Sequence, residues 1–393
     1  MAFRRVDLPN DPDRSSSLEE LGYFIDKNDK IARIDDPSKG YHFKANKNPR
    51  YVQTRHEDFE GKSDFLQGLP LTLPTAACRR VVEERLLAEN ILIGHIPLAA
   101  AGDEAFLQTS DKRQAPIFFS NFISYPEKCE RLILLVGTAN HDPHIISHNI
   151  LDNHGINAGS VLGFVKDAHA RDRMGVIIAN TGQCVWSKTL RKAVTYATYD
   201  ALPRDKATDP SPMLDQENPY VFGSPMEHLS VLFGELVLPT MSHNRNHPKL
   251  YIICINDAVH DVLKFMQSKW SEYGKFTAAI VACNGTIDKN TDMYDPGFVK
   301  FWSERCKHYW TDALPLDTPI EVVSDLPNYF SSGAVEKRQN VFYQVYETVL
   351  NYFDHLHANP SFKLPPFVPV QTFNDLDDGD TQNTDGGAAE GWA

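Results

Sequence analysis

Short apolar runs alternate with amphipathic stretches through most of the chain. Five runs are typical of buried strands: LILLVG (132–137), GVIIAN (175–180), LYIICI (250–255), TAAIVAC (277–283) and PIEVVSD (319–325). Apolar residues at helical spacing follow in five stretches: 160–170, 227–237, 257–270, 296–310 and 335–353. Upstream, 75–89 predicts a further helix and PIFFS (116–120) a further strand. Strands separated by single helices indicate βαβ units, so the sequence predicts a three-layer α/β fold whose mostly parallel sheet is flanked by helices.

The two ends of the chain lack this pattern. Residues 1–16 are polar and 371–393 are acidic and rich in glycine, so both are predicted to be disordered. One domain is expected over 17–357, followed by a proline-rich and then acidic disordered tail over 358–393. The proline-rich part, NPSFKLPPFVPV (359–370), could be a peptide ligand for a groove, but the pattern favours a segment that lies over its own domain.

Composition narrows the class of protein. Net charge is −13 at pH 7, whereas phosphate neutralisation needs clustered Lys and Arg, so direct nucleic-acid binding is not the default expectation. The six cysteines include no C-x-x-C pair, which fits reduced thiols in the nucleus or cytoplasm. We expect neither secretion nor a membrane span, because no apolar leader segment and no run of 18 apolar residues occurs.

LYIICINDAV (250–259) indicates a strand, a sharp turn and a helix, the layout of a hydrolase nucleophile elbow. Asn256 stands where such an elbow carries serine, and an amide cannot be deprotonated to attack a carbonyl. Ligands bind at the carboxyl ends of parallel strands, so any chemistry is expected in the turns there. Those turns supply a polar set that lacks a Ser, a His and an acid in hydrolase order: Gly137, Thr138, Asn140, Asn180, Thr181, Asn256, Asp257, Cys283, Asn284, Asp325, Ser331, Ser332 and Gly333.

Several segments together resemble the Argonaute-binding protein 2 domain family, in its fungal form. They run nearly end to end: SLEELGYFIDKNDKIARI (17–34), 127–136, AGSVLGFVKDA (158–168) leading to GVIIAN, MEHLSVLFGEL (226–236), WSERCKHYW (302–310), PLDTPIE (315–321) and the SSG turn (331–333). The resemblance implies an α/β-hydrolase-like fold over 17–357, of the kind also found at the C-terminus of fungal class II histone deacetylases.

The resemblance also locates the family's catalytic positions. It places the serine at Asn256, the acid near Cys283 or Asn284, and the histidine near Lys337. A His-Gly pair that would begin an oxyanion loop corresponds to Gly137 and Thr138. The catalytic residues are therefore expected to be absent. A remnant pocket is expected at Gly137, Thr138, Asn180, Asn256, Asp257, Cys283, Asn284 and Lys337, with neither a cofactor nor a metal.

Two functions follow from these observations. The resemblance implies a non-catalytic subunit in heterochromatin silencing linked to RNA interference. Its partners would be Argonaute and a second Argonaute-binding subunit, and its contact with small RNA would be indirect. The alternative is an esterase-like hydrolase with an unorthodox nucleophile. Cys283, at a strand end, is the candidate, and it would need a base within hydrogen-bonding reach.

Four smaller groups of residues have competing interpretations. His141, His144, His148 and His154 could bind a metal, sense pH or contact a ligand, and the favoured interpretation is satisfied or exposed histidines. Asp257 is predicted to cap a helix rather than act as a base, and Ser331 and Ser332 are predicted to cap the last helix. Trp302, Tyr309 and Trp310 are predicted to share one side of a helix. Lys188, Arg191 and Lys192, with Trp186, form the best basic-aromatic patch, which could contact a phosphate backbone, although a solvated surface is the ordinary interpretation.

Overall fold

The computed structural model describes residues 17–20, 22–40, 73–98, 113–121, 129–137, 139, 141–187, 192–196, 199, 221–242, 247–287, 295–322, 324, 326–334 and 341–369. The strands are β1 (Tyr23–Ile25), β2 (Ile31–Arg33), β3 (Ile91–Ile96), β4 (Ala115–Ser120), β5 (Arg131–Val136), β6 (Met174–Ala179), β7 (Val185–Ser187), β8 (Lys192–Val194), β9 (Lys249–Ile255), β10 (Thr277–Cys283), β11 (Lys307–Trp310) and β12 (Tyr329–Ser331). The α-helices are α1 (Leu73–Ala88), α2 (His148–His154), α3 (Ile156–Gly159), α4 (Leu162–His169), α5 (Pro225–Leu232), α6 (Leu238–Ser242), α7 (Ala258–Ser268), α8 (Trp270–Tyr273), α9 (Pro296–Arg305) and α10 (Val341–Ala358). The predicted disordered ends, 1–16 and 370–393, lie outside the described residues.

Eight strands form one sheet in the order β3-β4-β6-β5-β9-β10-β11-β12. The six strands from β6 to β12 in that order pair in parallel, whereas β4 runs antiparallel to both β3 and β6. Val136 pairs with both Ala179 and Cys254, and Ile255 pairs with Cys283, so the carboxyl ends of the central strands are adjacent. The predicted α/β-hydrolase-like fold, a mostly parallel sheet flanked by helices, is confirmed.

Each face of the sheet has its own apolar core. On one face α1, α4 and α10 pack with Leu18 and Ile31 from the N-terminal part of the chain. On the other face the core comes from α5, α7 and α9. Alternation along the strands explains this division, since Ile253 and Val281 belong to the first core and Ile252 and Ile280 to the second.

Sequence features fix where two of these helices begin. The Ser224 hydroxyl accepts a hydrogen bond from the Glu227 amide at 3.2 Å, and Pro225 occupies the first turn of α5. The Asp295 carboxylate accepts bonds from the amides of Gly297 and Phe298 at the start of α9. The helix predicted over 227–237 continues past α5 as a π-helical turn, Phe233–Val237.

The helix predicted over 296–310 is half wrong, because it ends at Arg305 and Lys307–Trp310 is a strand. The Asn328 amide donates to the carbonyl oxygens of Trp302, Ser303 and Cys306, which satisfies the end of the helix and fixes the turn. Trp302 therefore lies on a helix while Tyr309 and Trp310 lie on β11, so the predicted shared helical side is wrong.

The fifth predicted strand, 319–325, is also wrong over its described residues. Pro319 forms only an isolated bridge with Phe330, and the strand at this edge is instead Tyr329–Ser331. The Ile320 amide also donates to the Tyr329 carbonyl at 2.9 Å, so the contact with this strand is confined to the start of the run. Val323 and Asp325 lie outside the described residues.

The last helix continues past its predicted end, and its predicted start lies outside the described residues. α10 spans Val341–Ala358 rather than 335–353, and residues 335–340 are not described. The Ser331 hydroxyl donates to the Leu314 carbonyl at 2.6 Å, and the Ser332 hydroxyl accepts a bond from the Ala334 amide. These hydroxyls therefore order the turn after β12, and the amides that a cap of the predicted helix would bind lie outside the described residues.

The proline-rich segment after α10 packs against its own domain, as the pattern favoured. The Arg305 guanidinium donates to the carbonyl oxygens of Pro360 and Phe362, and the Leu364 amide donates to the Glu304 carbonyl. Phe367 lies edge-on to Phe330 with ring centroids 6.0 Å apart. The described residues after α10 therefore pack against the core as far as Phe367.

We expect Arg305→Ala to release this segment and to lower the free energy of unfolding by about 1.5–3 kcal/mol, the range for hydrogen bonds from a charged group. Limited proteolysis with trypsin at Lys363 should accelerate, and chemical denaturation should report the stability loss. Arg33→Ala provides a control, since Arg33 pairs only with the exposed Asp35 among the described residues. Unchanged cleavage in Arg305→Ala would contradict the docking role.

Candidate functional site

The elbow after β9 has the geometry that its sequence predicts. β9 ends at Ile255, Asn256 and Asp257 form the turn, and α7 begins at Ala258. Asn256 has a φ of +51°, the left-handed conformation that a sharp strand-to-helix turn requires. The Asn256 amide donates to the Cys283 carbonyl at 3.0 Å, and the Val259 amide donates to the Asn256 carbonyl at 3.0 Å.

A pair of asparagine side chains occupies the site of the missing nucleophile. The Asn284 amide nitrogen donates to Asn256 Oδ1 at 3.0 Å. Asn284 also has a positive φ, +53°, and its backbone amide donates to the Tyr309 carbonyl at 2.8 Å. An amide can neither lose a proton to become a nucleophile nor take one as a base at neutral pH, so this pair supports the turn and supplies no reactive group.

Asn284 keeps one unused acceptor. Its side chain is only 6% exposed, and its Oδ1 has no hydrogen-bond partner among the described residues. The next residue, Gly285, has a φ of +121° and lies so close to the elbow that a Cβ atom there would be 2.3 Å from the Asn256 carbonyl oxygen. The turns after β9 and β10 are therefore packed directly on each other.

Cys283 is unfavourably placed for a nucleophile. It is 0% exposed and belongs to the apolar core on the face of α10. Burial raises the pKa of its thiol well above the ordinary value, and the neighbouring Cys254 thiol adds to that shift. Burial also raises the pKa of Cys254, whose thiol donates to the Val281 carbonyl. The reactive form of a cysteine is the thiolate, which this environment opposes.

The loop after β5 is packed onto the turn after β6. The Gly137 amide donates to the Ala179 carbonyl at 2.9 Å. The fully buried Asn180 side chain donates to the His141 carbonyl and accepts from the Gly182 amide at 2.7 Å. Asn180 therefore holds two loops together. Thr138 and Lys337, the other predicted pocket residues, lie outside the described residues.

Asp257 does not cap α7 with its side chain. It stands at the N-cap position but has helical backbone angles and makes no capping hydrogen bond, so that prediction is wrong. Partial burial raises the pKa of its carboxyl, and interaction with His141 opposes the shift. Burial lowers the pKa of His141, and a contact from its Nδ1 to the Ile146 carbonyl at 3.3 Å works against that shift. His141 was not among the predicted pocket residues.

A carboxylate and an imidazole thus lie beside the elbow, where Asn256 offers them neither a hydroxyl nor a thiolate to activate. The neighbouring Asp261 accepts a hydrogen bond from the Thr181 hydroxyl at 3.2 Å, and burial raises the pKa of Asp261. These groups can exchange protons with a bound molecule. Neither Asn256 nor the buried Cys283 thiol supplies a nucleophile for covalent catalysis, and the hydroxyl in the site, that of Thr181, lies on the turn after β6 rather than at the elbow.

The four clustered histidines lie in different surroundings. The rings of His141 and His148 lie 5.6 Å apart, whereas His144 lies edge-on to Phe118 and His154 packs on Tyr343. In the described ranges, no three His, Cys, Asp or Glu side chains are placed to hold a metal ion. Of the basic-aromatic patch, Lys188 and Arg191 fall outside the described residues.

The structure also bears on membranes. None of the helices in the described part of the chain is both long enough and apolar enough to cross a bilayer.

Three solved structures are similar to this chain. Among proteins with curated descriptions, none matches the chain. A histone deacetylase from Saccharomyces cerevisiae is structurally similar, with 12% identity, a TM-score of 0.40, and coverage of 72% of this chain and 98% of that chain. The histone deacetylase Clr3 gives 12% identity, a TM-score of 0.41, and coverage of 73% and 39%. A protein called AbyA5 gives 8% identity, a TM-score of 0.37, and coverage of 80% and 86%.

The sequence comparison is more specific. The family model of the Arb2 domain matches residues 14–316. This range includes the elbow, the paired asparagines and β11. This is the family that the sequence segments resemble, and the match covers most of the chain. The chain belongs to the Arb2 domain family.

Proposed function

We propose that this chain is a non-catalytic binding subunit of a chromatin-silencing complex. The observation that carries the proposal is the amide pair at the elbow, where Asn284 donates to Asn256 at the position of a hydrolase nucleophile. The buried Cys283 thiol supports it, because a thiol held protonated is a poor nucleophile. The fold keeps the strained turn, while its side chains serve the turn itself.

The partners in this proposal are Argonaute and a second Argonaute-binding subunit, and the process is heterochromatin silencing linked to RNA interference. Membership of the Arb2 domain family supports this assignment. The net charge of −13 suits contact with protein surfaces better than contact with phosphate. In the proposal the chain therefore acts in the nucleus and contacts small RNA only through its partners.

Affinity capture tests the partner assignment. The tagged full chain should recover Argonaute and silencing factors from nuclear extract, and recovery should persist after ribonuclease treatment because the contact is between proteins. The tag alone serves as the control. Recovery that disappears with ribonuclease would replace the protein contact with an RNA bridge, and absence of Argonaute and of silencing factors would remove the assignment.

A generic ester assay tests the non-catalytic assignment. We expect the purified chain to hydrolyse a nitrophenyl ester no faster than Cys283→Ala or Asn256→Ala, because neither side chain offers a reactive oxygen or sulfur anion. The two substitutions are matched, since one removes the only candidate thiol at a strand end and the other removes the elbow amide. Turnover by the unmodified chain that Cys283→Ala abolishes would establish the hydrolase alternative.

A further inference from the structure

The proline-rich segment after α10 packs against the domain with one side and leaves the other side exposed. We call residues 362–369, FKLPPFVP, the strap. Its prolines favour a polyproline II conformation, because each fixes its own φ at about −65° and disfavours helical angles in the residue before it. A polyproline II helix has three residues per turn, so side chains three positions apart lie along the same edge.

One edge of the strap faces the domain. The side chains of Leu364 and Phe367, three positions apart, are half-buried and pack against the core on the face of α10. Phe367 lies edge-on to Phe330, and the Leu364 amide donates to the Glu304 carbonyl at 2.8 Å. The spacing of the two inward side chains is that of a polyproline II helix lying lengthwise on the domain.

The other two edges of the strap face outward. Lys363 and Pro366 lie on one of them, Pro365 and Val368 lie on the other, and all four residues are exposed. Val368 is 73% exposed. Pro369, which continues the edge of Lys363 and Pro366, is partly exposed. The side of the strap that the domain leaves free therefore consists of one cation and a row of apolar groups.

These outward positions match the pattern of an SH3 ligand. From Lys363 the strap reads basic, any residue, apolar, proline, any residue, apolar, proline, which is KLPPFVP (363–369). In ligands of this pattern the two apolar-proline pairs dock on an aromatic-lined groove, and the basic residue binds an acidic pocket. The two unrestricted positions point away from the groove. In the strap those positions are Leu364 and Phe367, the two side chains that pack on this domain.

We propose that the exposed side of the strap binds an SH3 domain with an acidic specificity pocket, while the opposite side stays docked on this chain. The residues that the pattern requires are the ones left free, and the residues that it leaves unrestricted are the ones half-buried. Because the strap is already held in place, binding orders little additional chain. The inference is independent of the Argonaute assignment, since it concerns a separate partner domain defined by its chemistry.

Lys363 already has a partner that the SH3 domain would replace. Its ammonium lies 2.8 Å from Glu304 Oε1, and its side chain is 59% exposed. Ion pairs this exposed contribute little, so Lys363 can exchange this carboxylate for one in the partner's pocket. Glu304→Gln should therefore strengthen SH3 binding by roughly two- to fivefold, because a competing carboxylate is removed. Weaker binding by Glu304→Gln would contradict this role of Lys363.

Biolayer interferometry tests the proposal. A purified SH3 domain that selects ligands of this pattern is immobilised, and the full chain is compared with a synthetic peptide of residues 359–370. We expect the chain to bind at least as tightly as the peptide, because the strap is held in place before binding. A chain that binds more than roughly tenfold more weakly than the peptide would mean that other parts of the chain cover this side, and would overturn the proposal. So would binding by neither.

Substitutions in the full chain separate the two sides of the strap. Pro366→Ala should weaken binding at least roughly tenfold, because the groove loses one of its two proline contacts. Pro360→Ala is the matched control, since it changes another exposed proline that lies before the pattern. Phe367→Ala, on the inward edge, should change binding by less than roughly threefold. A loss with Phe367→Ala that equals the loss with Pro366→Ala would mean that the partner reads the inward edge, and would overturn the proposal.

Discussion

Acidification from pH 6.5 to about pH 4.5 is expected to lower the free energy of unfolding by about 5 kcal/mol through two buried histidines. Burial lowers the pKa of both His228 and His308 from 6.5 to about 3. Both rings are 0% exposed, and none of their nitrogen atoms has a hydrogen-bond partner in the described structure. His228 packs on Phe222 and His308 on Tyr329, so neither imidazolium would find a counterion in its ring contacts.

The sign of the effect follows from proton binding. Below pH 6.5 these histidines bind protons in the unfolded chain but not in the folded chain, so stability falls until the pH approaches about 3. Each histidine contributes a slope of about 1.4 kcal/mol per pH unit. The pKa values of Asp257, Asp261 and Glu83 are raised in the folded chain, so protonation of these carboxyls raises the free energy of unfolding as the pH falls through the carboxyl range. The contribution of the histidines is therefore measured by comparison with histidine variants.

Urea denaturation at a series of pH values measures this effect. His308→Phe should remove the contribution of one buried histidine. The free energy of unfolding should then fall less steeply with decreasing pH, by about 1.4 kcal/mol per pH unit. His154→Gln, at an exposed position, is the matched control and should leave the slope unchanged. If His308→Phe and the unmodified chain lose stability in parallel, the buried histidines are not the cause.

Gly285→Ala is expected to lower the free energy of unfolding by about 2–6 kcal/mol and to disturb the elbow. Two penalties add at this position. A φ of +121° is strained for alanine, and the new methyl group would lie 2.3 Å from the Asn256 carbonyl oxygen and 2.8 Å from a Val259 methyl group. Because Asn256 and Val259 form the turn and the start of α7, the strain falls directly on the candidate site.

Gly22→Ala separates the two penalties. Gly22 has a φ of +82° but no atom within 4 Å of the position of a Cβ atom. Its substitution should therefore lower the free energy of unfolding only through backbone strain, by about 1–3 kcal/mol. Chemical denaturation of the two variants gives the difference. A Gly285→Ala chain that is no less stable than Gly22→Ala would mean that the turns after β9 and β10 are not packed as described.

The central strands could be predicted because they are buried on both faces. TAAIVAC coincides with β10, the runs at 132–137 and 175–180 are shifted by one residue from the observed strands, and the run at 250–255 starts one residue late. A continuous apolar run bounded by turn residues is a strong signal for such a strand. β11 and β12 could not be predicted, because four and three residues are too few to display a period.

The pair of Asn256 and Asn284 side chains follows from the register between β9 and β10. Ile255 pairs with Cys283, so the residues that follow them, Asn256 and Asn284, must emerge side by side. The sequence indicates both residues but not their hydrogen bond, since strand neighbours depend on the order of the sheet. His141 is harder to place, because it lies in the loop after β5 while Asp257, with which it interacts, follows β9.

The core beneath α10 has a consequence for synthesis of the chain on the ribosome. It unites Leu18 and Ile31 with Phe353 and Leu356, which are translated more than 300 residues later. Such contacts between distant parts of a chain form late and slow folding. Until α10 has been translated, this face of the sheet is therefore covered only in part, by α1 and α4, and the nascent chain exposes apolar surface that favours aggregation.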